Sequence, residues 1–92
     1  MVQSDLMEFT SKASINIFDD EEIKRYILRL HRSIVHAGKI KNRMIKEYDI
    51  YLEESEEASL SIRIGLILAK MCADGRIKYY GRTKHHILYF IE

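Results

Sequence analysis

Four basic side chains lie close together near the end of the chain, at Arg76, Lys78, Arg82 and Lys84. From Ser59 onward the sequence contains six basic and two acidic residues, whereas the whole chain has a formal net charge of only +1. Lysine and arginine clustered on a flexible loop bind the phosphates of a nucleic-acid backbone. The alternative is a solvated hairpin whose charged edges prevent aggregation.

A second basic group consists of Lys39, Lys41, Arg43 and Lys46. It surrounds the start of a predicted helix, where backbone N–H groups also attract an anion. The pattern therefore predicts a second phosphate contact. Charge balance against the carboxylates that follow along the chain explains the same residues equally well.

The residue types that perform catalysis or bind metals are scattered along the sequence. Cys72 is the only cysteine, so the chain makes no internal disulfide, and an intracellular, reducing compartment fits best. The histidines match no known metal-site spacing, and no glycine-rich phosphate loop is present; they are His31, His36, His85 and His86. We therefore predict that the protein is not an enzyme and holds no cofactor, metal or small-molecule substrate.

The first half of the chain predicts two helices. A capping aspartate and apolar residues at helical spacing predict a helix over residues 20–37, which Gly38 ends. Residues 39–41 alternate and predict a short strand. Asn42 then predicts the cap of a second helix of roughly ten residues. The acidic run at residues 53–57 predicts a solvated turn.

The second half predicts one helix followed by a hairpin. Residues 59–74 fit both a strand and a helix by periodicity, but fifteen residues without a turn signal favour the helix. Asp74 and Gly75 end it. Residues 76–80 and 85–91 alternate as strands do, and residues 81–84 form the turn between them.

Length and composition predict one small domain over residues 19–92. Residues 1–18 predict an N-terminal arm, which is either a short strand or a contact with a second subunit. They lack the long apolar run of a signal peptide or a membrane span. Many Ile, Lys and Glu residues with few amides favour a thermophilic source.

The element order over about residues 20–92 resembles the winged helix-turn-helix family. The most specific stretch is Ile64-x3-Leu68-x2-Met71-x3-Gly75-x-Ile77, which is similar to the family's third helix and the start of its wing. Gly81-Arg82 with the later Tyr89 resembles the wing, and Ala37-Gly38-Lys39-Ile40 resembles the exit from the first helix. The resemblance implies an α+β fold with three helices and a C-terminal β-hairpin wing.

The resemblance also implies a small DNA-binding protein whose third helix enters the major groove while the wing contacts the backbone. We expect a homodimeric transcription regulator from a thermophilic archaeon or its virus, located in the cytoplasm (the host cytoplasm if viral), with double-stranded DNA as partner and no membrane. The candidate DNA-binding residues combine Ser59, Ser61 and Arg63, which are carried over by position, with members of the two basic groups. They are Lys39, Lys41, Arg43, Ser59, Ser61, Arg63, Arg76, Lys78, Arg82 and Lys84.

A second hypothesis follows from Ile62 and Leu66 on the predicted third helix. A base-reading helix usually presents polar groups to the edges of the bases, and apolar contacts serve mainly at the thymine methyl. The helix is apolar on two sides, so its second side needs a partner. The same scaffold is therefore also consistent with a protein-interaction module that does not bind DNA sequence-specifically.

Overall fold

The computed structural model describes residues 18–92, so most of the predicted N-terminal arm lies outside the described residues. The described part is an α+β fold of three helices and one three-stranded antiparallel sheet, with the strand order β1-β3-β2. This confirms the predicted class. The elements in chain order are α1 (Asp20–Leu28), β1 (Ser33–Val35), α2 (Ala37–Glu47), α3 (Glu54–Ala73), β2 (Lys78–Arg82) and β3 (Ile87–Ile91).

Helix α1 begins where the sequence predicts, because Asp19 and Glu22 form a reciprocal capping box. It ends at Leu28, however, so the prediction of a helix through residue 37 is wrong. The chain turns at Arg32, which has a φ of 60° and donates its backbone N–H to the Ile91 carbonyl at 2.6 Å. Pairing with β3 therefore outweighs the helical periodicity of the following apolar residues.

Helix α2 starts at Ala37, so the strand predicted over residues 39–41 is wrong. His36 is its N-cap, and its ring Nδ1 accepts a hydrogen bond from the Lys39 backbone N–H at 3.2 Å. Gly38 consequently lies in the first turn of α2 and does not end the preceding helix. Asn42, predicted as a cap, is an exposed residue in the middle of α2.

Helix α3 starts five residues earlier than predicted, at Glu54. The acidic run is its first turn rather than a free turn, because the Glu56 carboxylate accepts the Glu53 backbone N–H at 2.9 Å. Carboxylates in the first turn also interact favourably with the positive end of the helix dipole. The helix ends as predicted, with Asp74 as its C-cap and Gly75 in the left-handed conformation at a φ of 79°.

The C-terminal hairpin is confirmed, but its turn lies two residues later than predicted, because Gly81 and Arg82 end β2 and β3 begins at Ile87. Strands β2 and β3 pair antiparallel, with an irregularity between Tyr79 and Gly81 that leaves Tyr80 as the extra residue. Strand β1 pairs with the other edge of β3, opposing Val35 to Tyr89. The sheet thus joins the end of the chain to the segment between α1 and α2.

One apolar core lies between the helices and the sheet. The inner face of α3 supplies five of its buried residues: Leu60, Ile64, Ile67, Leu68 and Met71. Phe18, which precedes α1, is only 2% exposed and packs edge-on against Tyr48 with ring centroids 4.9 Å apart. The core fixes the orientation of α3, so its opposite face points to solvent.

Candidate nucleic-acid interface

A cleft of about 340 Å³ opens where the start of α2, the middle of α3 and the turn of the hairpin meet. Its polar groups come from all three elements, and its floor is apolar. The lining residues include His36 and Gly38 from α2, Ser61 and Gly65 from α3, and His85 and His86 from the hairpin turn. The fold therefore brings together residues that are far apart in the sequence.

The cleft depends on a close approach of α2 to α3. A Cβ atom on Gly65 would lie 3.7 Å from the Ala37 Cβ, so this position leaves room for little beyond a methyl group. A Cβ on Gly38 would lie 3.4 Å from the His36 ring. An added Cβ would make an ordinary van der Waals contact at either position, so the side chains of Ala37 and His36 lie directly beside these two glycines.

His36 joins α2 to the hairpin. Its ring stacks on the His86 ring with centroids 3.9 Å apart and planes 19° apart. Burial, then the nearby His86 ring and the Lys39 ammonium, lowers the pKa of His36 from its ordinary 6.5. A neutral ring is what the cap needs, since a protonated Nδ1 cannot accept the Lys39 N–H.

The hairpin turn is fixed by hydrogen bonds to Thr83. Its backbone N–H donates to the His86 carbonyl at 2.8 Å, and its hydroxyl accepts the His86 backbone N–H at 3.1 Å. His85 and His86 therefore belong to the turn and not to the strand predicted over residues 85–91. The turn that carries Lys84 is thereby held in one conformation.

All four basic residues predicted for the hairpin are exposed to solvent. Arg76, Arg82 and Lys84 are exposed and make no ion pair within residues 18–92. Lys78 pairs with Glu92 at 3.1 Å, but both side chains are largely exposed. Exposed pairs of this kind contribute little free energy, so Lys78 exchanges partners readily.

The second basic group is divided by the structure. Lys39 donates its ammonium to the Ile34 carbonyl at 3.2 Å, near the start of α2. Lys41 forms an ion pair of 3.2 Å with Glu57 on α3. Arg43 is exposed further along α2, and Lys46 lies in its last turn. Only Lys39 therefore stays beside the helix start with its charge unpaired by a carboxylate in the described structure.

The three α3 residues predicted to face DNA point in different directions. Ser59 is exposed and Ser61 lines the cleft. Arg63 pairs with Asp20 at the start of α1, with 2.9 Å between Nη2 and the carboxylate oxygen. Its Nη1 is buried and has no hydrogen-bond partner among the described residues. Arg63 thus connects α3 to α1 on the side away from the cleft.

The solvent face of α3 is apolar at its centre. Ile62 is 67% exposed and Leu66 is 69% exposed, although both are large hydrophobic residues. Tyr79 and Tyr80 on the hairpin are also well exposed. Aromatic side chains interleaved with basic ones are typical of surfaces that bind single-stranded nucleic acid, because unpaired bases stack on them.

Sequence reasoning missed the role of His36 and the stacked pair that it forms with His86. The signal for His36 was its place immediately before a helix start, where a side chain that accepts a hydrogen bond is favoured. Nothing in the sequence indicates the stacking, because His86 lies fifty residues further along the chain.

No protein-family model, curated protein or solved structure matches this chain. Within the described residues, none of the helices combines the length and apolar character needed to cross a membrane. The same part of the chain contains no group of three or more His, Cys, Asp or Glu side chains arranged to hold a metal ion.

Proposed function

We propose that the chain is a small winged-helix protein that binds double-stranded DNA, acting as a homodimeric transcription regulator in the cytoplasm of a thermophilic archaeon or the host of its virus. The observation that carries this proposal is the element order. A helix, a short strand, two helices and a hairpin follow one another, and the first strand joins the hairpin in one sheet. In the winged-helix family this order serves DNA binding. The proposed role is binding without a catalytic step.

The charge on the hairpin supports DNA as the ligand. Arg76, Arg82 and Lys84 are exposed and not committed to carboxylates of residues 18–92. Phosphate binding by such residues gains free energy from counterion release and does not need a defined base sequence. The hairpin is therefore the main contact in the proposal.

The cleft supports a second contact with the same backbone. In the first turn of α2 the Lys39 N–H is bonded to the His36 ring, so the N–H groups of Ala37 and Gly38 are the ones that can interact favourably with an anion. Lys39 lies in that turn, and Ser61 contributes a hydroxyl from α3. A phosphate held here would lie between α2 and the hairpin, so both contacts belong to one surface.

The test is the salt dependence of binding to a short labelled duplex, measured between about 50 and 200 mM salt. We expect the R82A/K84A double variant to bind more weakly and to reduce the slope of log affinity against log salt by about 2, since each phosphate contact contributes about 0.9. Fluorescence anisotropy gives both quantities from one titration series.

The matched control removes two positive charges elsewhere. Arg25 is exposed on α1 and Arg29 is exposed directly after it, so neither lines the cleft or belongs to the hairpin. The R25A/R29A variant should keep the slope of the unmodified protein. Equal losses in both double variants would mean that only net charge matters, and absence of binding at low salt would reject the proposal.

A second function is favoured by Ile62 and Leu66. Their exposure on the centre of α3 fits a protein-interaction module on the same scaffold, without sequence-specific DNA binding. The I62E/L66E variant distinguishes the two functions. If the unmodified protein has no DNA affinity and the variant no longer captures a protein partner, the module is supported. Salt-dependent DNA binding by the unmodified protein supports the first proposal.

A further inference from the structure

Six exposed residues form a continuous stripe along the solvent side of α3. Their spacing alternates between four and three residues, which keeps them on one side of a helix and is the spacing of a coiled-coil seam. The central pair is large and apolar, and the flanking positions are small. We call this surface the outer stripe; it consists of Ser55, Ser59, Ile62, Leu66, Ala69 and Ala73.

We infer that the outer stripe is the interface between two copies of this chain, with the two α3 helices packed antiparallel. This inference deepens the homodimer included in the proposed function by naming its surface and its geometry. It requires no DNA, so it can be tested separately from DNA binding.

The antiparallel arrangement matches large with large and small with small. We place the two-fold axis at the level of Ile64 along the helix, on the outer side of α3. Ile62 would then pack on the partner's Leu66, because both residues are two positions from that level. The same rule places Ser59 on the partner's Ala69 and Ser55 on the partner's Ala73. Small side chains in the outer layers allow close helix approach, towards the lower end of the usual ~8–10 Å range.

The charges at the two ends of α3 favour a second copy of the chain packed in the antiparallel direction. The first turn of α3 contains Glu54, Glu56 and Glu57, and its last turn contains Lys70. Glu56 and Lys70 flank the stripe on the same side, so an antiparallel pair brings Glu56 close to the partner's Lys70. A parallel pair would bring like charges together and align the two helix dipoles unfavourably.

Arg63 does not oppose this arrangement. It flanks the centre of the stripe, where it would approach its copy across the two-fold axis. Its guanidinium is already paired with Asp20 of the same chain through two nitrogen atoms, at 2.9 Å from Nη2 and 3.0 Å from Nε. The local charge at the centre is thereby largely balanced before the second copy arrives.

The cleft remains accessible in the proposed dimer. Ser61, which lines the cleft, and Ile62, at the centre of the stripe, are consecutive residues and so point about 100° apart around the helix. The hairpin lies on the cleft side. A second copy on the outer stripe therefore leaves the hairpin and the cleft free for DNA. It covers the solvent face of α3, so that face could not enter a groove of the DNA.

The first experiment measures the mass of the full chain by sedimentation equilibrium without DNA. We expect twice the chain mass of 10.9 kDa for the unmodified protein and the single mass for the I62E/L66E variant. Both substituted residues are exposed, so the circular dichroism spectrum should not change. The Y51E/Y80E variant places the same charges on exposed aromatic residues outside α3 and should remain dimeric.

The second experiment tests the direction of the helices by disulfide cross-linking in a Cys72→Ala background. Antiparallel packing predicts that S59C and A69C proteins cross-link to each other when mixed, while S59C alone does not. Self-cross-linking of S59C without the mixed product would overturn the antiparallel geometry. A monomeric chain, including one whose stripe is covered by its own residues 1–17, would overturn the inference, as would a dimer that persists in I62E/L66E.

Discussion

The hairpin and the outer stripe are both exposed, yet they present opposite chemistry to solvent. The hairpin carries Arg76, Arg82 and Lys84, whereas none of the six residues of the stripe is charged. Charged side chains stay hydrated and exchange ions with a phosphate backbone. Apolar side chains gain free energy only when a partner removes them from water. This difference is the reason why we propose DNA contact for the hairpin and protein contact for α3.

Both surfaces are held in place by structure behind them. The hairpin turn is fixed by the hydrogen bonds of Thr83, and β3 is paired on both edges. The outer stripe is fixed because the opposite face of α3 is buried, with Ile64 and Leu68 completely inaccessible to solvent. Neither surface therefore has to be ordered at the moment of binding, which reduces the cost of association.

The largest expected effect separates the two faces of α3. Leu68→Ala should lower the free energy of unfolding by about 2–5 kcal/mol, because it leaves a cavity in the core. Leu66→Ala removes the same atoms from the exposed face and should change stability by no more than about 0.5 kcal/mol at dilutions where the chain is monomeric. Urea denaturation over a range of protein concentrations measures both. A cost for Leu66→Ala that does not vary with concentration would contradict its assignment to an interface.

A smaller effect separates the start of the hairpin from its middle. Gly75 has a φ of 79°, so Gly75→Ala should cost about 1–2 kcal/mol because a Cβ is strained in the left-handed region. Gly81 has no atom within 4 Å of its added Cβ and no positive φ, so Gly81→Ala should be close to neutral. Thermal unfolding of the two variants provides the comparison. Equal costs would show that the Gly75 turn does not control the entry into β2.

Local patterns were sufficient to predict the hairpin and the end of α3. Alternating residues on both sides of a turn specify a hairpin without reference to the rest of the chain, and Asp74-Gly75 specifies a helix end in the same way. The start of α3 was missed because acidic composition was interpreted as a solvated turn. The capping box formed by Glu53 and Glu56 was the local signal for a helix start.

Non-local contacts explain the remaining errors in the fold and the limits of the predicted site. Ile34 continues the helical spacing of α1, but Ser33–Val35 becomes a strand because β3, at the other end of the chain, pairs with it. Lys41 and Arg63 look like free cations in the sequence. Their carboxylate partners, Glu57 and Asp20, lie on other helices and become neighbours only after folding.

The smallest expected effect is a pH dependence on the cleft side of the molecule. The pKa of His36 in the folded protein is lowered by burial and by His86 and Lys39, so the folded chain binds fewer protons than the unfolded chain just below pH 6.5. The contribution of His36 to stability is therefore complete above pH 6.5 and is lost as the pH falls through the folded pKa.

His36→Asn keeps an acceptor at the N-cap but does not titrate, so it should flatten the stability profile in this window. Urea denaturation at a series of pH values and one protein concentration measures the slope, and identical slopes in both proteins would contradict the effect. The outer stripe has no titratable side chain and the two introduced glutamates stay ionised near pH 6.5, so the I62E/L66E difference in mass should persist across this pH window.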